Sequence, residues 1–163
     1  MDTSVIIIGS ILVALTILPM VLISRSRKQK ARLYFQKLRA AALAQNREVS
    51  LYEASSRIIM GMDQKAKTLF YLKPEQEAAA IQSIDLSTIS DCKVFRVNRT
   101  VGENGSQQSY LGQIGLRFIP RKKAEQESRW VLYDSEEDMQ LNGELQFAEK
   151  WAGLIVNEIR ANA

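Results

Sequence analysis

IIMGMDQKAKTLFYLK, residues Ile58 to Lys73, decides the fold: two apolar runs rich in Ile, Met, Leu and aromatic residues flank the polar segment Asp63-Gln64-Lys65-Ala66-Lys67. Apolar runs of this length, joined by a short polar turn, predict a β-hairpin with strands at Ser56 to Met62 and Thr68 to Lys73. Working outward, similar runs predict strands at Ala79 to Asp85, Lys93 to Thr100, Tyr110 to Ile119 and Arg129 to Tyr133. Gly102 to Gln108, with Asn104-Gly105 inside it, and Pro120 to Gln126 supply the later turns. Such short connections favour antiparallel pairing, and the alternation of Leu116 and Phe118 with Arg117 predicts one buried face.

Beyond the strands, Leu145, Ala148, Trp151, Ala152, Ile155 and Ile159 recur at helical spacing. They predict an amphipathic helix, capped by Asn142 and running to about Ala161, whose apolar stripe covers the sheet. The fold class expected is therefore α+β: an antiparallel sheet or partly open barrel of six to seven strands, capped by a C-terminal helix. The first hairpin (Ile58 to Lys73), the segment IDLSTISDCKVFRV (Ile84 to Val97) and the helix GELQFAEKWAGLIVNEI (Gly143 to Ile159) together resemble a pleckstrin-homology-like domain of the small membrane-tethered bacterial type. In phosphoinositide-binding members of that superfamily the first hairpin carries a basic cluster. Lys65 and Lys67 match it, and the resemblance implies that they are lipid or partner contacts. Leu69 and Tyr71 stand where an arginine is expected, and many domains of this fold bind protein partners instead.

Upstream, Ser4 to Ser24 reads SVIIIGSILVALTILPMVLIS without a charge. At a rise of ~1.5 Å per residue it extends roughly 31 Å, which predicts a transmembrane helix. Arg25, Arg27, Lys28, Lys30 and Arg32 follow at once, so the positive-inside bias places the N-terminus outside and the domain in the cytoplasm, with these five residues at the membrane surface. From Arg25 to Arg47 strong helix formers predict a helix continuing outward as one rod. The organisation expected is an anchor over 1–24, a basic juxtamembrane helix over 25–48 and the folded domain over 49–163.

Charge is partitioned accordingly: residues 1–47 hold 8 basic residues and 1 acid, and residues 48–163 hold 14 basic and 17 acidic ones. The positive excess thus belongs to the basic flank rather than to the domain, which argues against a nucleic-acid partner. A single cysteine excludes an intrachain disulfide, and the lack of histidine removes the usual zinc sets and a histidine general base. Cys92 reads as structural, Arg121-Lys122-Lys123 as a solvated turn neutralised by Glu125 and Glu127, and Asp134, Glu136, Glu137 and Asp138 as an acidic loop without the spacing of a calcium site. Asn98-Arg99-Thr100 and Asn104-Gly105-Ser106 match the glycosylation triplet, which has no use on a cytoplasmic domain. No catalytic residue, cofactor site or metal site is expected, and the chain reads as a non-enzymatic, membrane-anchored interaction or scaffold module that docks a protein partner. The alternatives are a module responsive to anionic lipid and an accessory subunit of a membrane complex, packed through Gly9 and Ser10.

Overall fold

The computed structural model describes residues 32–55, 57–74, 81–101, 108–138 and 140–161. Its first helix, α1, covers residues 32–44 of those described. Four strands follow: β1 (Leu51–Ala54), β2 (Ile59–Asp63), β3 (Thr68–Leu72) and β4 (Gln82–Asp85). They form one antiparallel sheet in chain order, and a second sheet holds β5 (Ile89–Val101), β6 (Gln108–Pro120) and β7 (Ser128–Asp134), again in order. The last helix, α2, spans Glu144–Arg160.

Every residue of β2 and β3 is buried, because both faces of the first sheet are covered. Met60, Met62, Leu69 and Tyr71 point into the main core, while Ile59, Phe70 and Leu72 point the other way and pack on Leu38 and Ala42 of α1. Gly61 permits that close approach, since a Cβ there would lie 2.8 Å from Leu38 Cδ2 and 2.9 Å from Val49 Cγ1. After Ala44 the helix stops in a Schellman motif. Asn46 takes a left-handed φ of 55°, its N–H donates to Leu43 C=O, and the Arg47 N–H donates to Ala42 C=O.

The main core lies between the two sheets and α2. Trp151 is fully buried, with Ala148, Ile155 and Ile159 beside it on α2 and Cys92, Ile114, Leu116, Phe118, Trp130 and Leu132 from the second sheet. Trp130 stacks on Tyr71 (5.2 Å) and meets Phe118 edge-on (4.8 Å), and the Tyr71 hydroxyl donates to Val131 C=O at 2.6 Å. One side chain thereby joins the sheets by ring packing and by a hydrogen bond. A 3-10 turn at Leu86–Thr88, capped by the Asp85 carboxylate, carries the chain from one sheet to the other.

Several expectations are corrected. The chain is α+β with two separate antiparallel sheets of four and three strands, not one sheet or a partly open barrel. Among the described residues no helix is long and apolar enough to cross a membrane. Both described helices are amphipathic: α1 turns Leu38 and Ala42 to the sheet and Arg32, Lys37 and Arg39 to solvent, and α2 buries one stripe. The transmembrane helix, the single-pass topology and the cytoplasmic placement derived from it are therefore not supported, and Ser4 to Ser24, which carried them, lies outside the described residues. Nor does α1 lead away as a rod, for it folds back over β2 and β3. β1 was not expected, and β4 is described from Gln82, with Ala79 and Ala80 outside the described residues. The cap position of α2 is Gly143 (φ 93°) rather than Asn142, and the Glu144 carboxylate accepts the Asn142 N–H instead.

Candidate functional site

Among the described residues β1 is an edge strand, bonded to β2 on one side only. The Ser55 N–H donates to Ile58 C=O at 2.8 Å, which sets the pairing phase. Antiparallel strands alternate bonded and non-bonded pairs, so Glu53 and Leu51 turn their peptide groups to β2 while Tyr52 and Ala54 turn theirs to the free edge. α2 lies against the face of β1 that carries Leu51 and Glu53. Between them lie two adjoining hollows of about 290 and 270 Å³, which share Glu53 and Lys150.

Side chains set the width of this groove. Leu51 and Glu53 face α2, where the Glu53 carboxylate accepts from Trp151 Nε1 (3.1 Å) and from Lys150 Nζ (2.9 Å). The buried indole thus has a partner, and strand and helix are tied by a charge-assisted bond. Leu154 and Tyr52 line one hollow, and Phe147, Gln146 and Ser55 line the other. Tyr52 is 51% exposed although its ring stacks on Phe35 of α1 at 3.8 Å between centroids. The arrangement offers two free peptide groups, an apolar floor and a fixed ion pair.

The residues singled out from the sequence are dispersed. Arg25, Arg27, Lys28 and Lys30 lie outside the described residues, and Arg32 is exposed on α1. Lys65 is exposed in the β2–β3 turn, and Lys67 is half-buried at φ 52°, its C=O accepting the Leu86 N–H. Leu69 and Tyr71, beside them in the chain, point into the core. Asn98 and Thr100 lie on β5, and Asn104 lies outside the described residues. Cys92 is buried, and burial together with the charge of Asp91 pushes its thiol up to about 12, which leaves it protonated and unreactive.

The acidic loop, Asp134 to Asp138, is tied into an ion-pair network. Asp138 is buried, and its carboxylate accepts from Arg57 Nη1, from Lys73 Nζ (3.5 Å) and from the Asp134 N–H (2.8 Å). Lys73 also donates to Glu137 at 2.8 Å, while Arg99 pairs with Glu136 and Asp134. Burial alone would lower the Lys73 ammonium, but Glu137 and Asp138 hold it above its usual range. The network fastens the end of β3 to the segment after β7. Among the described residues no group of three or more acidic or thiol side chains is placed to hold a metal ion.

The sequence reading missed the edge of β1 and the Glu53–Trp151 bond. Trp151 stood out as the largest residue of its stripe, but nothing local marks Glu53 as its partner, 98 positions away. Comparison with protein-family models, with curated proteins and with solved structures finds no match to this chain.

Proposed function

We propose that this chain is a protein-interaction module, with a pleckstrin-homology-like domain that takes up an extended segment of a partner along the free edge of β1. The observation that carries the reading is the pair of outward-facing peptide groups at Tyr52 and Ala54, beside a groove floored by Leu51, Trp151 and Leu154. Strand addition uses such an edge: backbone bonds give affinity, and pockets for alternate side chains give selectivity. Natural edge strands are usually short or charged, and β1 is short, with its one carboxylate turned to α2 and not outward.

Ala54→Pro tests this directly. Proline removes an N–H that faces the free edge, so the bonds to β2 persist while the added strand loses a donor. Peptides selected on the full chain from a random display library should bind the variant at least about ten-fold more weakly, with the thermal midpoint little changed. Equal affinity for both proteins would contradict the reading.

A further inference from the structure

We infer that the outer face of the second sheet is a separate binding site for an acidic polypeptide segment. Register places Lys93 of β5 opposite Arg117 of β6, and Arg117 opposite Arg129 of β7. Because Cys92, Leu116 and Trp130 point into the core, these three cations form one row across the outer face. Directly paired side chains stand about 5 Å apart, and like charges at that spacing repel. Two carboxylates answer the three cations with long contacts: Asp91 lies 3.4 Å from Lys93, and Glu127 lies 3.9 Å from both Arg117 and Arg129. The Nε of Arg117 is shielded from solvent and has no acceptor.

A row of cations answered only by long contacts to two carboxylates is complementary to an anion that bridges strands. The next row identifies the kind of anion. Phe95 lies over Gly115, where an added Cβ would meet its ring at 2.6 Å, and the Arg129 guanidinium sits 5.9 Å from the ring centre. With the 40%-exposed Val97 further along β5 and half-buried Val131 on β7, the cations border an apolar strip. Carboxylates for the forks of Arg117 and Arg129, with an apolar residue for Phe95, are features of an acidic peptide. A polynucleotide is disfavoured, since residues 48–163 carry more acidic than basic residues and would repel a long polyanion beyond this face.

The test uses the full chain and a fluorescent peptide of glutamates around a central leucine, read by anisotropy. Wild type should bind it in a salt-sensitive manner and bind the glutamine counterpart at least about ten-fold more weakly. Joint replacement Lys93→Gln, Arg117→Gln and Arg129→Gln should abolish glutamate-peptide binding while the thermal midpoint holds or rises, because like charges have been removed. A purely structural role would lower that midpoint instead. Ala54→Pro should leave this binding intact, which separates the site from the β1 edge. Unchanged affinity in the triple variant, no binding by wild type, or tighter binding of a short single-stranded DNA through the same residues would each overturn the assignment.

Discussion

Asp63 shows how one side chain fixes a turn. It is buried at the end of β2, where it accepts the Ala66 N–H at 2.9 Å through one oxygen and the Glu48 N–H at 2.7 Å through the other. Burial pushes its carboxyl up, but the amides of Ala66, Glu48 and Lys65, with the charge of Arg47, hold it below the ordinary carboxylate value. A carboxyl depressed on folding stabilises the native state fully above its unfolded value, and the contribution is lost as pH falls through the folded value. Asp63→Asn should therefore flatten the acid limb of the stability curve, measured by urea unfolding at successive pH values, and an unaltered limb would contradict this. The polar turn Asp63 to Lys67 was legible in the sequence because Asp and Lys punctuate two apolar runs. The function of Asp63 was not, since its partner Glu48 belongs to a segment whose path no local pattern dictates.

At the scale of elements, the long apolar segments were easy to read and the short or doubly covered ones were not. β5, β6, β7 and α2 coincide broadly with the expected runs, since a strand alternating Leu116, Arg117 and Phe118, or a helix repeating Ala148, Trp151, Ile155 and Ile159, buries one face by its own periodicity. β1 escaped notice because Leu51–Ala54 contains Glu and Ala, weak strand formers, and exists through pairing with β2. The unbroken burial of β2 and β3 is the trace in sequence of a second layer, α1, which the helical propensity of residues 32–44 alone does not place. Leu38 is fully buried in that layer. Leu38→Ala should cost about 2–5 kcal/mol in urea unfolding. Because both tryptophans lie in the main core, α1 should loosen at lower urea than the change in tryptophan fluorescence. A loss under about 0.5 kcal/mol would show that α1 does not hold the sheet.

For the molecule as a whole, the two sheets are fastened where β3 ends. Tyr71 reaches Val131, and two residues further on Lys73 joins the network of Arg57, Glu137 and Asp138, whose two carboxylates also act on the Tyr71 hydroxyl. β1 lies at the periphery of the first sheet, and the outer face of the second sheet carries the row of cations. Neither feature was legible beforehand, because both are products of register: residues distant in the chain meet only once strands are paired. Strand addition at the β1 edge is read out by amide hydrogen exchange of the full chain, residue by residue, with and without a selected peptide. An extended partner segment seated there should markedly slow exchange at Tyr52 and Ala54, whose N–H groups face the edge, with little change at Glu53, already bonded to β2. Protection appearing elsewhere, with Tyr52 and Ala54 exchanging as fast as in the free protein, would contradict it.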